Sequence, residues 1–114
     1  MSLYIPDRGD IVYLDFNPQA GHEQAGRRPA LVLSPKAYNE KTGFAVLCPV
    51  TNTIKGNPFE VLIPDGCKVA GAVLTHQIKS LDLAARRCEY GCIIPREVLE
   101  EALEKISAIL FQTC

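Results

Sequence analysis

The sequence predicts a mainly β protein of the α+β kind, a small barrel or sandwich of short strands with one C-terminal α-helix. Three observations point there. Short runs rich in β-branched, aliphatic and aromatic residues recur about every 8–12 residues. Proline and glycine turns separate them. Only the last stretch of the chain carries sustained helical spacing.

The runs follow one another in order. Ile11-Val12-Tyr13-Leu14-Asp15-Phe16 follows the turn Arg8-Gly9-Asp10, and Asn17-Pro18 breaks it. A polar segment leads to Ala30-Leu31-Val32-Leu33, a continuously apolar run that suits a strand covered on both faces. Phe44-Ala45-Val46-Leu47-Cys48 is a third strand, expected to stop at Pro49. Phe59-Glu60-Val61-Leu62-Ile63 is a fourth, between Pro58 and Pro64, where a missing N–H costs little. Ala72-Val73-Leu74 and the stretch from Ile78 to Leu83 complete the set. Val98, Leu99, Ala102, Leu103, Ile106, Ile109 and Leu110 then repeat at i, i+3, i+4 and i+7. Pro95 fits the first turn of that helix and Glu97 the positive end of its dipole.

A chain of 114 residues corresponds to one domain, 1–114. With 47% apolar and 22% charged residues it has the balance of a folded globular protein rather than a disordered chain. No apolar run approaches the roughly 18 residues of a membrane span, and the N-terminus lacks a signal peptide, so no membrane and a cytoplasmic location are expected. Net charge is −1, which gives no bulk signal for nucleic acid, yet the pairs Arg27/Arg28 and Arg86/Arg87 allow a local basic face. The five cysteines are odd in number and include no CxxC pair. Reduced, mostly buried thiols are expected, with no metal or cofactor.

The chemistry-bearing residues cluster between strands. Glu23, Gln24, Arg27 and Arg28 precede the second strand, Thr51 follows the third, Lys55 and Asn57 precede the fourth, and Gln77 and Lys79 open the last. Taken singly, each has an ordinary structural reading, as do His22 and His76. Strand ends of a small barrel converge on one rim, however, and this set holds the groups needed to grip and attack a phosphodiester.

In this order and spacing the motifs Tyr4-Ile5-Pro6-Asp7-Arg8-Gly9-Asp10-Ile11-Val12, Gly21-His22-Glu23-Gln24-Ala25-Gly26-Arg27-Arg28-Pro29-Ala30, Pro49-Val50-Thr51, Lys55-Gly56-Asn57-Pro58-Phe59-Glu60-Val61 and Gln77-Ile78-Lys79-Ser80-Leu81-Asp82 resemble the MazF/PemK toxins of bacterial toxin–antitoxin systems. The resemblance spans nearly the whole chain. It implies an SH3-like barrel, a homodimer, and a metal-independent, sequence-specific endoribonuclease acting on single-stranded RNA. It further implies a 2′,3′-cyclic phosphate product with a 5′-hydroxyl, and inhibition by a cognate acidic, MazE-like antitoxin. Arg28 and Thr51 match the family's catalytic arginine and threonine, and Glu23 matches the loop glutamate. Gln24, Arg27, Lys55, Asn57, Gln77 and Lys79 are the candidate RNA-binding residues. His76, where many relatives have Asp, and Arg27, at a variable position, are departures that bear on which RNA is held.

The sequence leaves three other readings open. One is a non-catalytic SH3-like binding module. Another is a gyrase-poisoning toxin of the same fold, which has no need of Arg28 and Thr51. The last is a ribonuclease using His22 and His76. The proton acceptor of the cleavage reading is Glu23, His22 or Arg28.

Overall fold

A computed structural model describes residues 4–17 and 26–112. Its elements are β1 (Asp10–Asp15), β2 (Arg27–Val32), α1 (Lys36–Thr42), β3 (Phe44–Thr51), β4 (Glu60–Leu62) and β5 (Ala72–Leu74), then a 3-10 turn (Thr75–Gln77), β6 (Lys79–Asp82), β7 (Glu89–Ile93) and α2 (Arg96–Phe111). The mainly β architecture with a C-terminal helix is as expected.

The strands run in the order β4-β5-β3-β2-β1-β7, with β6 also on β3, and every pairing among the described residues is antiparallel. The expected closed barrel is not formed: β4 and β7 end the path, and no ladder joins them among the described residues. The reason lies in β3, whose second edge is divided. Residues Phe44 to Leu47 pair with β6, whereas Val50 and Thr51 pair with β5.

That division explains a second departure from expectation. Pro49 does not stop β3; the strand runs on to Thr51. Proline removes one ladder donor and is tolerated where no donor is required. Pro49 sits between the β6-paired and β5-paired stretches, where neither partner is in register with it.

Two elements were not expected. Helix α1 is only seven residues and largely polar, so it presents no apolar stripe. It is held by the fully buried Asn39, whose amide donates to the carbonyls of Pro6 (2.9 Å) and Ser34 (3.0 Å). Gly43, at φ +77°, ends it with an N–H bond to the Asn39 carbonyl. Strand β7 (Glu-Tyr-Gly-Cys-Ile) lacks an apolar run, and it pairs with β1 across a bulge between Ile11 and Val12.

Both faces of the sheet are covered, as the continuous apolar runs require. Ile11, Leu31, Leu33, Cys48 and Val50 pack on one face, joined by Val98, Ala102 and Ile106 of α2. Val12, Leu14, Phe16, Ala30, Val32, Ala45 and Leu47 form the other cluster. Each fully buried aliphatic side chain contributes about 1.5–3 kcal/mol. Cys48 lies within the first cluster, and burial pushes its thiol up to about 12. Cys67, Cys88 and Cys92 are half-buried free thiols, less enclosed than expected.

Gly71 ties β5 to the end of β3. Its φ is +114°, and a Cβ there would stand 2.0 Å from the Thr51 carbonyl oxygen. Gly71→Ala should therefore cost about 3 kcal/mol or more. Gly66→Ala, at φ +92° but with open space around it, should cost about 1–2 kcal/mol. Urea unfolding of the two variants checks the difference, and equal losses would contradict the close approach.

Candidate active site

A cavity of about 350 Å³ opens at the end of the β2–β3 pair. Strand β2 supplies Arg28, the end of β3 supplies Thr51, and the β3–β4 connection supplies Thr53, Lys55 and Asn57. Glu60, Leu74, His76 and Gln77 complete the lining from β4, β5 and the 3-10 turn.

The strand register explains why residues far apart in sequence meet here. Ala30 pairs with Pro49 across the antiparallel β2–β3 ladder. The ladder ends at that pair; continued by two residues along each strand, its register would set Arg28 opposite Thr51. Side chains two apart share a face, so Arg28 follows Ala30 and Val32, and Thr51 follows Pro49 and Leu47.

Thr51 is 5% exposed, and its hydroxyl accepts the Thr53 N–H at 3.1 Å. The acceptance fixes the side chain and leaves the hydroxyl proton for donation. Glu60 is 8% exposed and organises the loop ahead of it: its carboxylate accepts the backbone N–H groups of Lys55 (3.1 Å) and Gly56 (2.8 Å). Gly56 takes φ +80°, which lets two consecutive amides converge on one carboxylate. The Glu60 oxygens are thereby engaged with backbone. Arg28 and Lys55 are cationic side chains of the lining, a pair that suits an anion.

Of the sequence-predicted residues, Arg28, Thr51, Lys55, Asn57 and Gln77 line this cavity. Glu23, Gln24 and His22 lie outside the described residues. Arg27 and Lys79 do not line it. The Lys79 ammonium sits 5.8 Å from the centre of the Phe16 ring. Arg27 is turned to a separate cluster, pairing with Asp15 (3.3 Å) and Glu89 and donating to the Arg87 carbonyl (2.8 Å). Arg87, at φ +54°, closes the cluster with a 2.8 Å bond from Nε to Asp15.

The cavity also holds Thr53, Glu60 and Leu74, which sequence reasoning did not select, and His76, which it named only as a departure from relatives and in the two-histidine alternative. For Glu60 a signal existed: it is the one charge in the run Phe59 to Ile63, next to a Gly-Asn turn.

The chain matches the family described as "PemK-like, MazF-like toxin of type II toxin-antitoxin system" over residues 7–110. The endoribonuclease toxin MazF of Escherichia coli (strain K12) is 46% identical over 99 residues, 86% of this chain and 88% of that protein. The crystal structure of MazF from Deinococcus radiodurans superposes with a TM-score of 0.90 at 52% identity, covering 94% of this chain and 97% of that one. A MazE–MazF crystal structure from the same organism gives 0.87 at 51% identity, with 96% and 99% covered.

Two expectations follow from the geometry. Glu60→Ala should destabilise the protein by about 1.5–3 kcal/mol, the range for hydrogen bonds to a charged group, and should speed hydrogen exchange at the Lys55 and Gly56 amides above all others. Unchanged exchange there would contradict the clamp. For Asp15, the Arg87 guanidinium, with a smaller contribution from Arg27, holds the carboxyl below the usual aspartate range. A depressed carboxyl stabilises the fold above its unfolded value of about 3.9 and loses that contribution as pH falls through its folded value. A carboxyl NMR titration should give a low midpoint for Asp15 that rises in Arg87→Ala.

Proposed function

The chain belongs to the PemK/MazF toxin family, and from that premise we propose that it is a sequence-specific endoribonuclease. In this reading it cuts single-stranded RNA, mRNA above all, as the cytoplasmic toxin of a toxin–antitoxin pair. The observation that supports the reading best is that Arg28 and Thr51 share one cavity across the β2–β3 register.

The reaction uses the RNA's own 2′-hydroxyl. O2′ attacks the adjacent phosphorus in line, the P–O5′ bond breaks, and the products are a 2′,3′-cyclic phosphate and a 5′-hydroxyl. Holding O2′ and phosphorus in line contributes about 7–11 kcal/mol through effective molarity. Arg28 binds two non-bridging oxygens through its planar fork and neutralises the phosphorane as its charge develops. Thr51, anchored through Thr53, donates a hydrogen bond from its hydroxyl to a phosphate oxygen. Glu23, a carboxylate a few residues ahead of Arg28, takes the proton from O2′. Arg28 supplies charge and a hydrogen bond to the departing O5′, which takes its proton from water, rather than acting as base, because a guanidinium keeps its proton in water. Lys55 steers the RNA backbone, and the amides of Asn57 and Gln77 face base edges.

The partners follow from the same reading. An acidic, MazE-like antitoxin segment would lie over the Arg28 and Lys55 groups in place of RNA phosphates; the related Deinococcus complex is of this MazE–MazF kind. A homodimer would cover apolar surface left in solvent, where Ile93, Leu110 and Phe111 are 71%, 59% and 76% exposed.

Arg28→Ala and Thr51→Ala should each lower single-turnover cleavage of an RNA oligomer by about 10²–10³, the cost of one lost oxyanion donor, with wild-type cleavage persisting in EDTA. Intact RNA after prolonged incubation with wild-type protein would overturn the nuclease reading in favour of a binding module.

A further inference from the structure

The cavity has an aromatic margin that the cleavage chemistry does not use. His76 lines it and is exposed, and its ring lies 6.1 Å from that of Phe59, tilted by 46°. Phe59 is itself 41% exposed. At that angle the two rings form an open wedge rather than a closed stack, and both residues are exposed.

This wedge is built rigidly. The Phe59 carbonyl accepts both the Thr75 hydroxyl (2.6 Å) and the Thr75 N–H (3.2 Å). The Phe59 N–H donates to the Asn57 side-chain oxygen at 2.8 Å, and Lys105 donates to the Pro58 carbonyl at 2.6 Å. The turn carrying Phe59 is thus bound to the residue preceding His76 on one side and to α2 on the other. A ligand that settles on the two rings has little chain to order, which lowers the cost of binding. Aromatic surface kept in solvent beside an anion-suited cavity is the pairing that single-stranded nucleic-acid sites use: charge for the backbone, rings for the bases.

We propose that His76 and Phe59 form a stacking shelf for one nucleobase next to the cleaved phosphodiester. The proposal rests on the endoribonuclease reading and adds to it a specificity-determining pair. His76 selects substrate by binding, and the cleaved bond is left to Arg28 and Thr51.

The test uses RNA oligomers that carry a known cut site and, one position at a time, a nucleotide lacking its base. Steady-state cleavage is measured for wild type, His76→Ala, His76→Phe and Phe59→Leu, each checked for folding by its melting temperature. With one base stacked, His76→Ala and Phe59→Leu raise KM on the intact oligomer by about 5- to 150-fold, the worth of one base–aromatic stack. Neither variant changes KM further on the oligomer abasic at the shelf position, and His76→Phe restores most of the loss. If Phe59→Leu unfolds, the exposed His76 variants decide alone. Equal losses on intact and abasic oligomers, or no loss at all, would overturn the shelf. So would a fall in kcat with KM unchanged, which would make His76 a proton-transfer group. Wild-type protein that cuts none of the oligomers would remove the nuclease reading and the shelf with it. Wild-type protein that cuts every abasic oligomer as well as the intact one would remove the shelf alone.

Discussion

The antiparallel register between β2 and β3 is the constraint on which the rest of the structure depends. It pairs Ala30 with Pro49, and just beyond that pair Arg28 and Thr51 line one cavity. A slip of one residue would carry every side chain of a strand to the opposite face and present Arg27 or Pro29 to the cavity. The register is held because both faces are buried: Leu31 and Cys48 belong to one cluster, Val32 and Leu47 to the other. A slipped strand would have to pack the wrong volumes on both sides at once. Beyond the ladder, Gly71 lies close against the Thr51 carbonyl, so the residue at the site is also the point where β5 meets β3.

Around that fixed pair the remaining lining is organised by hydrogen bonds to backbone. Glu60 gathers the amides of Lys55 and Gly56, and Thr75 holds the Phe59 carbonyl. Loops fastened in this way present their side chains at little entropic cost, which is where a site gains over a flexible surface. Low exposure strengthens these bonds and equally penalises their loss. The cavity and the stability of its rim are therefore coupled.

Much of the fold was legible because the strands carry dense aliphatic runs. The run Ala30 to Leu33 reads as buried on both sides and is so, and the spacing of Val98, Ala102 and Ile106 marks the buried stripe of α2. Closure of the sheet was not legible, since it depends on which strands share the edge of β3. Pro49 reads as a stop in isolation and is admitted only because two partner strands divide around it. Helix α1 escapes notice because its anchor is a buried Asn39 rather than an apolar stripe. In the site, Arg28 and Thr51 stand out by motif, whereas the different fates of Arg27 and Arg28 do not. Adjacent strand residues face opposite ways, but a strand buried on both faces gives no polar alternation from which to read the phase. His76 and Glu60 join the cavity through the turn and through β4, whose placement only the tertiary structure supplies.

The most direct measurement of the central claim is a double-mutant cycle on single-turnover RNA cleavage with Arg28→Ala, Thr51→Ala and the combined variant. Two groups acting on one phosphate lose little more together than either loses alone, because removal of one already misplaces the reacting group for the other. The account predicts that the combined variant cleaves within about tenfold of the slower single variant. Losses that multiply, so that the two free-energy changes simply add, would place Arg28 and Thr51 in independent roles and contradict it.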